Sequence, residues 1–383
     1  MIYLDYNATT PLCDPAREAM LPYLNRHFGN PSSVHAAGRE ARAAIDNARD
    51  SLAALLQAKP SEIIFTSGAT ESCNLAVFGL ARSSSSRGGH IISNKAEHHA
   101  VLNPVEYLEK RENFEVTWLN VSDKGMVDLD QLRESIRPDT RLVSIMTANN
   151  ETGVTQPMRE ISQICRERAV LLHSDMVQAF GKTDVDVSLV DVASFAAHKF
   201  YGPKGTGFLC LRAGLPLEPI MFGGAHENQR RPGTENVASI AGMAAAAEWI
   251  LRDREMEEKR RGQLRDQLWK NITDLFPDAQ QNGDPFRRLT NTLNVSFTGI
   301  DSETMLMALD LEGICASSGS ACMVGSVRAS HVLLAMSLPM ERARSAIRFS
   351  LGRWTTAEEI SSVSDALERI AKRTKHSREY AVA

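Results

Sequence analysis

Glu62-Ile63-Ile64-Phe65-Thr66-Ser67-Gly68-Ala69-Thr70-Glu71 opens with a β-branched and aromatic run and closes on small polar residues. An apolar period through Leu75, Val77, Phe78 and Leu80 follows it. That change of period predicts a strand, a turn at Gly68 and a helix. The pattern recurs. His90-Ile91-Ile92-Ser93 reads as a strand before a helix through Val101, Val105 and Leu108. Residues 114–121, 141–147, 169–173, 190–195 and 206–211 contain further strands. Such alternation predicts an α/β fold with a mostly parallel, doubly wound sheet. Sheets of this kind bind ligands beyond the carboxyl ends of their strands.

After about residue 235 the texture changes. Residues 241–249 run into the charged stretch Arg252-Asp253-Arg254-Glu255-Met256-Glu257-Glu258-Lys259-Arg260-Arg261, which predicts one long helix with a solvated face. Strands are expected within 292–297, 314–317 and 346–351. A large domain over 14–256 and a smaller α+β domain made of 1–13 and 257–383 are expected.

Composition narrows the function. A formal net charge of −4 over 383 residues offers no basic field for nucleic acid, which favours a small molecule or another protein as partner. No apolar run approaches the ~20 residues of a membrane span, and Met1-Ile2-Tyr3-Leu4-Asp5-Tyr6 does not read as a leader. A cytoplasmic location is expected. The six cysteines form no C-x-x-C pair and read as reduced thiols. Five sit in apolar or helical surroundings; Cys322 lies in the Gly/Ser-rich stretch Ser317-Ser318-Gly319-Ser320-Ala321-Cys322.

The chemistry lies at the strand ends. Lys199 follows the strand at 190–195, in Ala197-His198-Lys199-Phe200-Tyr201-Gly202-Pro203. A lysine set in a cleft can be deprotonated and form a Schiff base, although a lone lysine in such a loop reads as a surface residue. Asp175 ends the strand of Val170-Leu171-Leu172-His173-Ser174, with Gln178 three residues on. A pyridoxal-phosphate (PLP) site needs an acid at the pyridine nitrogen, a role open to Asp175 even where it also caps a helix. Ala69 and Thr70, at a helix start, suit the phosphate. His98 could lie against an aromatic cofactor, and Asn150 offers a polar contact. No metal site is expected, because His98-His99 and His173 find no third ligand at a familiar spacing.

The chain resembles the cysteine desulfurases of the NifS and IscS type, within the class-V aminotransferases. The resemblance rests on Leu4-Asp5-Tyr6-Asn7-Ala8-Thr9-Thr10-Pro11, Gly29-Asn30-Pro31-Ser32-Ser33-Val34-His35, Ser67-Gly68-Ala69-Thr70-Glu71, Glu97-His98-His99, Asn149-Asn150-Glu151, His198-Lys199, Arg231-Pro232-Gly233-Thr234-Glu235-Asn236, the Cys322 stretch and Ile347-Arg348-Phe349-Ser350. These segments run in order over nearly the whole chain. The resemblance implies PLP fold type I, with PLP carried on Lys199, Asp175 at the ring nitrogen, Gln178 at the phenolate oxygen and His98 on the ring face. It implies Thr70 and His198 at the phosphate, with Thr234 donated across a homodimer interface. It also implies Arg348 and Asn150 at the carboxylate of L-cysteine. Cys322 would take the substrate sulfur as a persulfide and hand it to an acceptor protein for iron–sulfur cluster or thio-modification biosynthesis.

The chain departs from the pattern at Ala196, where a hydroxyl is expected near the phosphate, with Ser194 as a substitute, and at Cys73 and His226, where asparagine and glutamine are common. Two other readings stay open: a selenocysteine lyase or other class-V aminotransferase, and an inactive sulfur-transfer scaffold.

Overall fold

The computed structural model describes residues 1–83, 88–318 and 329–382. Cys322 lies outside the described residues. The strands in chain order are β1 (Ile2–Tyr3), β2 (Ile63–Thr66), β3 (Gly89–Asn94), β4 (Phe114–Leu119), β5 (Thr140–Ser144) and β6 (Leu171–Asp175). They continue as β7 (Val192–Ala196), β8 (Gly207–Leu211), β9 (Gln280–Gln281), β10 (Thr292–Ser296), β11 (Ile314–Cys315) and β12 (Ala346–Ser350).

Seven of them form the central sheet, in the order β2-β8-β7-β6-β5-β3-β4. The pairs β3–β4, β3–β5, β5–β6 and β6–β7 are parallel. β8 runs antiparallel to both β7 and β2. The expected doubly wound α/β sheet is therefore present, with one reversed strand. Because β8 is reversed, β2 points the same way as β7, and Thr66, Asn94, Ser144, Asp175 and Ala196 all end on one edge of the sheet. β8 starts on that edge.

Buried side chains on the two faces of the sheet hold it between helices. One cluster joins Ile45, Leu52, Ile92, Val143, Leu172 and Phe195; another joins Leu75, Val77, Val101, Val105 and Leu209. Phe195 stacks on Phe208 with centroids 4.4 Å apart, and Phe180 meets Phe200 edge-on at 4.8 Å. Truncating any of these buried rings to alanine costs about 3–5 kcal/mol. Phe195 and Phe200 flank the turn that carries Lys199, so apolar packing anchors that loop at both ends.

A separate cluster gathers Leu4, Leu268, Ile272, Leu293, Val295, Phe297, Ile347 and Phe349 around the antiparallel sheet β12-β10-β9. Val332, Leu333 and Met336 pack with the first cluster instead. Where the sequence predicts one long helix, there are two, Val237–Arg252 and Arg254–Leu275. Asp253 leaves helical geometry at φ −119°, ψ 27°. The two stretches bury their apolar sides in different clusters, with Ile240 and Met243 in the first and Leu268 and Ile272 in the other. A straight helix would serve only one of them. Among the described residues, no helix is long and apolar enough to cross a membrane.

Candidate active site

The loops leaving the shared edge of the sheet enclose a cavity of about 640 Å³. Lys199 reaches it from a single 3-10 turn, Ala197–Lys199, directly after β7. Its Nζ donates to the main-chain carbonyls of Asn7 and Ala8, both at 2.7 Å. Asp175 closes β6 and lines the same cavity. Its Oδ1 accepts from the Val177 amide at 2.9 Å, so the carboxylate caps its own turn and also faces the cavity. Burial raises its pKa, against the pull of His98. Cys73, fully buried, sets its thiol 3.7 Å from Oδ2.

His98 is the N-cap of the helix His99–Arg111, and its Nδ1 accepts from the Ala100 amide at 3.0 Å. Burial lowers its pKa. A neutral ring accepting at Nδ1 carries its proton on Nε2. His198 is neutral as well: burial first, then the nearby lysines, push it down to about 4. Its Nδ1 lies 3.1 Å from Thr9 Oγ1.

The end of β2 supplies an anion cradle. Gly68 has φ +148°, and a Cβ built on it meets no atom within 4 Å; the space it would enter belongs to the cavity. The helix Ala69–Arg82 starts there, so the Ala69 and Thr70 amides precede the intrahelical ladder. Gly205, at φ +76°, borders the cavity with the same open space around a Cβ. Opposite stands Arg348, from the middle of β12 and 3% exposed. Its Nη1 donates to the Asn150 carbonyl at 3.0 Å and its Nη2 to Asp5 Oδ1 at 2.7 Å, while its Nε is buried without a hydrogen-bond partner among the described residues.

Ala69, Thr70, His98, Asn150, Asp175, Gln178, His198, Lys199 and Arg348 thus share one cavity, as the sequence suggests. Thr234 does not line it; that residue is exposed on the segment whose Arg231 pairs with Glu71 at 2.7 Å. Ser194 is no substitute for a hydroxyl at Ala196, because its Oγ is bound to His173 Nε2 at 2.9 Å and lies away from the cavity. The sequence reading missed Asn7, whose carbonyl accepts from both Lys199 and Gln178. It also missed Thr206 and Lys204, brought to the cavity by the reversed strand β8. An asparagine beside the small residues Ala8 and Thr9 was the available signal for Asn7; nothing in the sequence gives the direction of β8.

The donor set suits PLP: an amine for its aldehyde, an acid for its ring nitrogen, a ring for its face and a glycine-bordered helix start for its phosphate. The aminotransferase class-V family model matches residues 2–363. The chain belongs to that family. A cysteine desulfurase IscS of Dictyoglomus turgidum is 47% identical to this class-V chain over 98% of the chain and 95% of the relative. A solved NifS-like protein aligns with a TM-score of 0.91 at 37% identity, over 97% of this chain and 99% of that one. A structure described as SspA in complex with cysteine aligns at 0.82 and 35% identity, over 93% and 100%. Class-V membership makes this a PLP-dependent enzyme of fold type I.

Proposed function

We propose that the cavity is the active site of a cysteine desulfurase, which converts L-cysteine to L-alanine and retains the sulfur. The chain is such an enzyme: the full-length relatives at 41–47% identity carry that name. The observation that carries the assignment of roles is the convergence of Lys199, Asp175, His98 and Arg348 on one cavity.

In this reading Lys199 holds PLP through Nζ, with Asp175 at the ring nitrogen and Gln178 at the phenolate oxygen. His98 lies on the ring face, and Ala69, Thr70 and His198 hold the phosphate. When bound, PLP serves as an electron sink for the substrate carbon next to the amino group. Arg348 and Asn150 grip the substrate carboxylate, and a guanidinium suits that two-point contact. Lys199 Nζ takes the α-proton. His98, neutral with its proton on Nε2, can donate that proton to a substrate group, its Nδ1 being held by the Ala100 amide. The Cys322 thiolate attacks the substrate sulfur, the Cβ–S bond breaks, and the product is alanine with a persulfide on Cys322. That sulfur then passes to an acceptor protein in iron–sulfur cluster or thio-modification biosynthesis.

The same proposal places the enzyme in the cytoplasm as a homodimer, with a large domain over 14–256 and a small one from 1–13 and 257–383. Phe28, Val34 and Phe222 are 83–89% exposed, apolar side chains that a second copy would cover. Thr234 lies on the segment that also carries the Glu71–Arg231 pair and would reach the partner's phosphate site from there. The test is incubation with L-cysteine and PLP, measuring alanine and sulfide for wild type, Lys199→Ala and Cys322→Ala. Equimolar alanine and sulfur from wild type and neither from the variants is expected. Undiminished sulfur transfer by Cys322→Ala would overturn the assignment.

A further inference from the structure

Lys182 is 4% exposed and sits behind the cavity. Its Nζ donates to Gln178 Oε1 and, at 3.1 Å, to Asn7 Oδ1. Both acceptors are neutral amide oxygens. Removing an amine from water without an acidic partner is costly. The charged groups acting on it are Lys199, Arg261 and Arg348, which oppose its charge; burial first, then these cations, push its pKa well down. A methionine would fill the same space without that cost, so the amine itself has a use.

The use lies in the amides it touches. An amide has an accepting end and a donating end, and a donor at one end fixes which way the group faces. With Lys182 on its oxygen, Gln178 turns Nε2 toward the Asn7 carbonyl at 3.0 Å, the same carbonyl that accepts from Lys199 Nζ. With Lys182 and Asn291 on its oxygen, Asn7 turns Nδ2 to the Asn150 carbonyl at 3.2 Å and to Thr292 Oγ1 at 2.9 Å. Gln178 and Asn7 both line the cavity; Lys182 does not.

We propose that Lys182 is a positioning residue of the cofactor site, locking the Gln178 and Asn7 amides so that Gln178 offers its N–H end to the cavity. The proposal rests on the reading of that cavity as the PLP site. A ring bearing a phenolate oxygen is bound by an N–H donor and repelled by a carbonyl oxygen, so a flipped Gln178 opposes it.

The test is a double-mutant cycle on Lys182→Met and Gln178→Ala. PLP is titrated into each apoprotein, the visible absorbance band of each holoenzyme is recorded, and the apoproteins are melted separately. Lys182→Met is expected to weaken PLP binding by roughly 5- to 50-fold, the effect of leaving buried polar groups unpaired, and to move the band. The double variant is expected to lose clearly less than the product of the two single losses, the remainder being the Lys182–Asn7 contact. Wild-type affinity and band in Lys182→Met, or losses that multiply in the double variant, would overturn the proposal. If Lys182→Met does not fold, Lys182→Gln enters the same cycle and is read by the same two criteria. A wild type that takes up no PLP would remove the cavity reading and this inference together.

Discussion

The guanidinium of Arg348 is tied to the carboxylate of Asp5, Nη2 to Oδ1 at 2.7 Å, inside the wall of the cavity. This contact joins residues 343 positions apart, and it neutralises a cation that is 3% exposed. Arg348→Ala is expected to raise KM for L-cysteine by about 30-fold or more, the loss of a desolvated charge-assisted contact. Asp5→Asn keeps the shape and removes the counter-charge. It is expected to lower stability by about 2 kcal/mol, less than for a wholly buried pair because Asp5 retains 18% side-chain exposure. Steady-state kinetics check the first outcome and denaturant unfolding the second. A KM unchanged in Arg348→Ala would remove Arg348 from the substrate site.

Borohydride treatment of the holoenzyme is expected to fix the cofactor covalently to the peptide containing Lys199. In Lys199→Ala the cofactor is expected to come away on denaturation, with alanine formation lost by about a thousandfold or more. Peptide mass spectrometry reads the attachment, and label on any other lysine would contradict the assignment.

Cys322→Ala is expected to leave the cofactor absorbance intact while abolishing the persulfide. Trapping with a thiol-alkylating reagent after one turnover, followed by intact-mass measurement, should show added sulfur on wild type alone.

Glu97 is fully buried. Its Oε1 accepts from Asn94 Nδ2 and the Met146 amide, while Oε2 has no hydrogen-bond partner among the described residues. Burial pushes its pKa up to about 8. The folded state therefore keeps a proton that the unfolded chain releases above about pH 4.5, so stability falls as pH rises from there through 8. Glu97→Gln removes this dependence. Its melting temperature is expected to match wild type at pH 5 and to exceed it by roughly 3 °C or more at pH 8. Equal melting temperatures at both pH values would show that Glu97 is ionised in the fold.

Much of this was legible in local pattern. The runs around Ile63-Ile64-Phe65 and Leu171-Leu172 announced strands, and the rule that ligands gather at carboxyl ends made Lys199 and Asp175 readable before any contact was known. Direction was not legible. The apolar period of Phe208 and Leu209 is the same whichever way β8 runs, so Thr206 and Lys204 could not be assigned to the cavity. The break at Asp253 carries no glycine or proline; it follows from two clusters competing for one amphipathic stretch. Asn7 and Lys182 were hidden for a third reason. Asn7 finds partners as distant as Ser350, and Lys182 joins the near Gln178 to the remote Asn7; a lysine in a polar turn looks solvated until such neighbours are known.

The Asn7 seam sets an order of events during synthesis. Asn7 takes Gln178 and Lys199 from one part of the chain and Thr292 from another, and its own amide donates to Ser350 Oγ at 2.9 Å across 343 residues. A nascent chain can pair β2 through β8 long before β12 leaves the ribosome, yet the cavity lacks Arg348 and the clamp on Asn7 until then. Closing so long a loop comes late because its entropy must be met before its contacts form. Cofactor capture is therefore expected to await completion of the polypeptide, and a chain truncated before β12 to emerge colourless.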